Sequence, residues 1–181
     1  THHFVFEREI SRPPGILAPN DPEQEEVAEP PSWRIDEHAL HALARFSLEA
    51  RVLGAERYRY DRAAVLAPVD LALGWGPMSS SNVLDSIDVS QSGRFYFWSS
   101  DEPLIDLREI ALHSANMHLI PADDAVRADL LRARRGHLVR LSGWLVEVAG
   151  PDGWKWRSSL RRDDSGAGAC EVIYVERLAL D

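Results

Sequence analysis

Apolar and polar residues alternate along much of the chain with a period of two, the pattern of a half-buried β-strand. Phe46, Leu48, Ala50 and Val52 show it first, and Gly54 follows as the predicted turn of a hairpin. The aromatic run Phe95–Trp98 also favours a strand. Further strands are predicted over residues 110–120, 138–148, 154–160 and 170–180, with turns at 150–153 and 163–166. The pattern therefore predicts a mainly β protein.

Two segments have apolar residues at helical spacing instead. Residues 35–43 place apolar side chains on one helix face, so a short helix is predicted after a possible N-cap at Ser32. A second helix is predicted after Asp123, with Val126 and Leu130 four residues apart, ending at Gly136. This second helix is inserted between predicted strands.

Proline and acidic residues set the beginning of the chain apart. Residues 13–31 contain six of the 11 prolines, and proline disfavours both helices and central strands. We therefore predict an extended, proline-rich acidic arm plus the short helix over residues 1–45, and a β-barrel-like domain over 46–181. Short connections and Gly143 within a strand favour a small β-barrel, OB-like by analogy, with one inserted helix.

Composition and charge narrow the possible functions. The net charge of −9 opposes non-specific binding to nucleic acids and anionic membranes. The longest apolar stretch, residues 63–73, is interrupted by Pro68 and Asp70 and is far shorter than the roughly 20 residues of a membrane-spanning helix. The single cysteine, Cys170, excludes an intrachain disulfide and a cysteine-based zinc site.

Three sequence strings carry a resemblance to a known group of proteins. They are APVDLALGWGPMS at 67–79, HSANMHLIPA at 113–122 and WKWRSSLRRDDSGAGACE at 154–171. Together they resemble a bacterial family of uncharacterised proteins. The resemblance implies no known activity. It implies a location in the cell envelope, because members often carry a hydrophobic segment upstream that would serve as a membrane anchor before residue 1.

Polar residues within predicted strands are the candidate ligand-binding residues. Asp70 lies between apolar residues and close in sequence to Trp75, and an ion pair with an arginine is the favoured interpretation of this carboxylate. His113 and Met117 share a face if their segment is helical, whereas Asn116 and His118 share one in a strand. Neither arrangement supplies a full set of metal ligands, so no metal and no cofactor are predicted.

A cysteine-dependent enzyme is the alternative reading of the same region. His118, Cys170 and Arg177 occur in the order that sortase-type transpeptidases use. However, the residues before Cys170 do not match that family, and Cys170 and Arg177 would point to opposite faces of a regular strand unless a bulge intervenes. An inert core thiol is therefore the favoured interpretation, and no catalytic residue is assigned.

A third interpretation is an OB-like domain that binds nucleic acid. Trp154 and Trp156 alternate with Lys155 and Arg157, so stacking groups and cationic groups fall on opposite faces. Binding to nucleic acid is therefore expected to be weak. The sequence favours a non-catalytic binding or assembly module of the cell envelope, whose partner is an unknown protein or small molecule.

Overall fold

The fold is described from a computed structural model, which covers residues 9–161 and 170–181. Of these residues 46% lie in strands and 14% in helices, which confirms the mainly β prediction. The strands are β1 (Glu23–Glu25), β2 (Ser32–Ile35), β3 (His38–Arg57), β4 (Val69–Gly74), β5 (Asp88–Ser92), β6 (Phe95–Ser99), β7 (Ser114–Pro121), β8 (Leu138–Ala149), β9 (Lys155–Arg157) and β10 (Glu171–Leu180). The helices are α1 (Ser81–Leu84), α2 (Leu107–Leu112) and α3 (Asp124–Arg132), and a 3-10 turn spans Gly76–Ser79.

Five strands form a closed hydrogen-bonded ring in the order β3, β4, β7, β10, β8 and back to β3. Neighbouring strands are antiparallel except β7 and β10, which are parallel. Strands β1 and β2 pair with β3, and β9 pairs with β8. Strands β5 and β6 form a separate two-stranded sheet.

The length of β3 allows the ring to close. This strand pairs with β8 over residues 39–51 and with β4 over residues 51–57, and it has a register shift in each part. Close approach of β8 and β10 depends on Gly143, because a Cβ at this position would overlap the carbonyl oxygen of Tyr174. The register shifts in β3 and the absence of a side chain at Gly143 thus allow the strands to bend into a ring.

Every second residue of the five ring strands points inward and forms the main core. Its members include Phe46, Leu71, Leu119, Leu141 and Ile173, all with 2% exposure or less. Two further apolar clusters lie outside the ring. One contains Leu40, Leu66, Ala67, Ile120, Val146, Val148 and Val172, and the other contains Leu53, Ala72, Met78, Leu84, Ile87 and Ile110.

The helix predicted after Asp123 is confirmed. The Asp123 carboxylate accepts a hydrogen bond from the backbone N–H of Val126 at 2.8 Å and so caps α3. Val126 and Leu130 pack into the main core. The helix ends at Arg132, before Gly136. Among the described residues, no helix combines the length and the apolar character needed to span a membrane.

The predicted helix over residues 35–43 is wrong. Residues 38–57 form one strand, in which Leu40, Ala42 and Ala44 are buried. The alternation noted from Phe46 onward therefore extends back through these residues. Two of them are alanines, which fit a helix as well as a strand, so the period of two was not recognised. Strand β3 consequently crosses the predicted boundary between residues 45 and 46.

Two predicted strand limits also need correction. The chain does not turn at Gly54, where β3 has a bulge opposite β4, and the connection to β4 spans residues 58–68. Residues 110–120 are not a single strand, because α2 ends at Leu112 and β7 begins at Ser114. The predicted turn at 163–166 lies outside the described residues.

The segment before β2 lies against the ring. The backbone N–H of Ala18 donates to the Ser79 hydroxyl at 3.0 Å, and the carbonyl of Ala18 accepts from Gly76 N–H at 2.7 Å. Ala18 is buried, and β1 pairs with β3 beside Phe46. These contacts hold residues 9–31 on the surface of the β ring.

Candidate functional site

The register of β4 and β7 brings three of the predicted site residues together. Asp70 pairs in register with His118, and Ala72 pairs with Asn116. Because Leu71 and Leu73 face the main core, Asp70 and its partners lie on the outer face of these two strands. All three polar residues are buried. We call Asp70, Arg94, Asn116 and His118 the Asp70 cluster.

Arg94 supplies the charge opposite Asp70. It occupies the two-residue turn between β5 and β6, where Gly93 has φ 59° and Arg94 has φ 71°, the left-handed conformation of a type I′ hairpin. Its Nη1 lies 2.6 Å from Oδ1 of Asp70, and Nε and Nη2 lie 2.6 and 2.9 Å from the Asp61 carboxylate. The favoured ion-pair interpretation of Asp70 is thus confirmed.

Amide side chains complete the link between the hairpin and the ring. Asn116 Nδ2 donates to Oδ2 of Asp70 at 3.2 Å and to the Arg94 carbonyl at 3.1 Å. Gln91, on β5, donates from Nε2 to Oδ1 of Asn116 at 2.9 Å. The contacts with the Arg94 carbonyl and with Gln91 join the hairpin to β7, whereas the contact with Asp70 joins β7 to β4.

His118 completes the cluster on the side of the aromatic rings. Its Nδ1 lies 2.9 Å from Oδ2 of Asp70, but the contact lacks the alignment of a hydrogen bond. The imidazole packs against Trp156 at a centroid distance of 4.8 Å. The Arg94 guanidinium lies 4.0 Å from the Tyr58 ring centre and 5.6 Å from that of Trp156.

The charges of this site are mutually compensated. Burial acts to lower the pKa of Arg94, but hydrogen bonds and charge from Asp61 and Asp70 outweigh burial, and the pKa is raised. The hydrogen bonds from Arg94 lower the pKa of Asp61. Burial raises the pKa of Tyr58. Arg94 therefore remains charged and is held by groups of its own chain, so the cluster fixes the hairpin on the ring.

Two other predicted residues lie elsewhere. Trp75 is buried in the main core, on the side of the sheet opposite to Asp70. His113 follows α2, and its Nδ1 lies 2.8 Å from the carbonyl and 3.3 Å from the carboxylate of Glu109. Neither contributes to the Asp70 cluster, because His113 precedes β7 and Trp75 continues the inward face of β4.

The sortase-like residues are not gathered into one site. Cys170 immediately precedes β10, whereas Arg177 lies far along the same strand, roughly 20 Å away at the usual rise per residue. A register shift does occur between Val175 and Arg177, but it does not shorten this distance. The Nδ1 of His118 is directed at Asp70.

The predicted alternation of tryptophans and cations is confirmed. The rings of Trp154 and Trp156 lie 5.9 Å apart and pack on one outer apolar cluster, while Lys155 and Arg157 are exposed. Within the described ranges, no group of three or more histidine, cysteine or acidic side chains is arranged to bind a metal ion. Comparison with protein-family models, curated proteins and solved structures finds no match.

Sequence reasoning missed Arg94, Asp61 and Gln91. Nothing local in the sequence says which of the arginines meets Asp70. Asp61 lies in the connection to β4, and Gln91 in a strand of mostly polar residues. Their roles arise from the packing of the hairpin on the ring.

Proposed function

We propose that this protein is a non-catalytic assembly module built on an OB-type barrel, and that it self-associates through the exposed edge of β6. The order of the elements supports the OB-type assignment. Three antiparallel strands (β3, β4, β7) are followed by α3 and then by β8 and β10, with β10 parallel to β7. This order of elements is the one expected of the five-stranded Greek-key barrel of an OB fold, and it supports the proposal.

The surface that OB folds use for oligonucleotides is covered in this protein. That surface is the outer face of the second and third barrel strands, which correspond to β4 and β7. Every residue of β4 is buried, as are six of the eight residues of β7. The β5–β6 hairpin lies over this face and is attached through Arg94 and Gln91. This covering and the net charge of −9 argue against a nucleic-acid ligand there.

The covering hairpin presents its own apolar surface. Tyr96 and Trp98 pack toward the ring, whereas Phe95 and Phe97 on the opposite face are 41% and 53% exposed. Residues 95–99 carry no charge. Exposed aromatic side chains on an uncharged strand are typical of an interaction surface.

One edge of β6 is unpaired among the residues that the structure describes. In the two-residue hairpin, Phe95, Phe97 and Ser99 form the hydrogen-bonded pairs with β5, so the N–H and C=O groups of Tyr96 and Trp98 point the other way. Among the described residues, no backbone hydrogen bond joins these two residues to another strand. Such an edge accepts a further strand.

A second copy of the chain fits this edge. Antiparallel pairing of two β6 strands about a two-fold axis at Phe97 places Tyr96 opposite Trp98 of the second copy in both halves. The two Phe97 side chains then meet in a non-hydrogen-bonded pair, where side chains lie closest. Two copies of a chain with a net charge of −9 repel each other. Residues 95–99 carry no charge, so this repulsion is weakest where two β6 strands would meet.

Sedimentation velocity over a range of protein concentrations tests this proposal. We expect a reversible dimer for the intact chain and a monomer for Phe97→Glu, because two carboxylates would face each other across the axis. Val65→Glu, at an exposed apolar residue of the 58–68 connection, is the matched control and should dimerise like the unaltered chain.

Two results would overturn the proposal. One is a chain that remains monomeric up to about 0.5 mM, a concentration well above most specific affinities. The other is a dimer that persists in Phe97→Glu. The location in the cell envelope that the resemblance implies is a further prediction, and membrane fractionation of cells that produce the protein tests it.

A further inference from the structure

A second feature of the molecule lies away from the Asp70 cluster. A cleft of about 560 Å³ is formed between residues 9–14, the later part of β3 and the start of α1. Arg12, Arg51, Ser11, Ser81 and Asn82 contribute hydrogen-bonding groups, and Leu104 forms an apolar part of the wall. The carboxylates of Glu9 and Asp85 also line the cleft. The size suits a small organic molecule.

Arg51 is the unusual residue of this cleft. It lies on β3 between Ala50 and Val52, which face the main core, and is only 5% exposed. Its Nη1 donates to the Ser79 carbonyl at 3.3 Å and to the Ser81 hydroxyl at 2.7 Å, both neutral groups. No carboxylate of the described residues forms an ion pair with it. Buried arginine without an anionic partner is uncommon because desolvation of the charge is costly.

The charges around Arg51 do not remove this cost. Burial lowers the pKa of Arg51, and the positive charges of Arg135 and Arg12 lower it further, against an opposite effect of Glu9 and Asp85. Glu9 already pairs with Arg135 at 3.2 Å. Arg12 donates from Nε to the Gly136 carbonyl at 2.8 Å and from Nη2 to the main-chain oxygen of Asp181. The hydrogen bonds of both arginines thus go to main-chain oxygens and a hydroxyl.

We propose that this cleft binds an oxyanion, the phosphate or carboxylate group of a small molecule, with Arg51 and Arg12 as its charged donors. The guanidinium group suits such anions because its planar donors can bind two oxygens at once. The Asn82 amide supplies a neutral hydrogen-bonding group at the same wall. The Ser81 hydroxyl instead orients Arg51, since it accepts from Arg51 and donates to the carbonyl of Arg12 or Pro13. The rest of the molecule would occupy the space beside Leu104. This site does not depend on the proposed self-association.

Isothermal titration with inorganic phosphate and, separately, with acetate tests the proposal, with sodium chloride holding the ionic strength constant. We expect one of the two anions, or both, to bind the intact chain. Arg51→Met keeps much of the side-chain volume without the charge and should weaken binding about tenfold or more. Arg140→Gln changes an exposed arginine that pairs with Glu49 on another surface, and should leave the Kd unchanged within about twofold.

A second measurement separates binding from folding. Without added anion, Arg51→Met should unfold at the same or a higher urea concentration than the intact chain, because it removes an uncompensated buried charge. If Arg51→Met does not fold, Arg51→Lys replaces it, and weaker phosphate binding is again expected because the planar fork is lost. Absence of binding by both anions, or equal binding by the intact chain and the Arg51 variant, would overturn the proposal.

Discussion

Replacement of Arg94 should be among the most damaging single changes at the surface of this protein. In Arg94→Ala, the Asp70 carboxylate, which is completely buried in the intact protein, loses the guanidinium that now lies 2.6 Å away. The close contact with His118 and the hydrogen bond from Asn116 remain. The variant therefore isolates the cost of leaving this carboxylate without its main partner.

The magnitude follows from the exposure of each contact. Removing one partner of a buried ion pair costs about 3–5 kcal/mol, and the side chains of Arg94 and Asp70 are 14% and 0% exposed. The contact with the more exposed Asp61 adds less than about 1 kcal/mol. We expect Arg94→Ala to lower the free energy of unfolding by about 4 kcal/mol, a large share of the roughly 5–15 kcal/mol typical of a folded domain.

Urea unfolding followed by tryptophan fluorescence provides the assay, with a comparison of Arg94→Ala and Arg94→Gly. Both variants lose the same contacts, but glycine adopts φ 71° without strain, so Arg94→Gly should be more stable than Arg94→Ala by about 1 kcal/mol. In an Asp70→Asn background the cost of Arg94→Ala should fall sharply. A loss below about 1 kcal/mol for Arg94→Ala would refute this reasoning, because exposed ion pairs have such values.

Three further predictions concern pH, backbone packing and ligands. Burial, together with the charges of Arg134 and Arg12, lowers the pKa of His137. The contribution of His137 to stability is therefore complete above the ordinary histidine pKa of about 6.5 and is lost as the pH falls below it. When unfolding is measured from pH 7.5 to 5, the free energy of unfolding should decline less in His137→Gln than in the intact chain. Gly143→Ala should lower the free energy of unfolding by about 3 kcal/mol or prevent folding, because its Cβ would overlap backbone atoms. Gly93→Ala, which has open space around its Cβ and φ 59°, should lower it by only about 1 kcal/mol. Thermal unfolding distinguishes the two variants, and equal losses of stability would contradict the close approach of β8 and β10. Titration with single-stranded oligonucleotides should quench tryptophan fluorescence only weakly at physiological salt, and tight binding that salt abolishes would favour a nucleic-acid function instead.

The elements that could be predicted from sequence are those whose pattern is local. The strand at 138–148 shows alternation, the aromatic run at 95–98 has a strong preference for strands, and Asp123 precedes α3 at the correct position. The helix prediction for residues 35–43 failed because alanine is compatible with both a helix face and a buried strand face.

The candidate site shows the same division between local and distant information. Asp70, Asn116 and His118 could be selected because polar residues within apolar strands are unusual, and the register of β4 and β7 then joined them. Arg94 could not be selected, because its role depends on how the hairpin packs over residues distant in sequence. Trp75 was placed with Asp70 by proximity in sequence, although the alternation of β4 sends the two residues to opposite sides.

The long pairing of β3 with β8 has a consequence for how the chain folds. It joins residues far apart in sequence, such as Ala39 with Ala149 and Arg51 with Leu138. Such non-local contacts slow folding, because a long loop must lose entropy before the contacts form. The β5–β6 hairpin, with its two-residue turn, can form early. During synthesis one edge of β3 therefore remains unpaired until β8 has been made. The chain is most prone to aggregation in this interval.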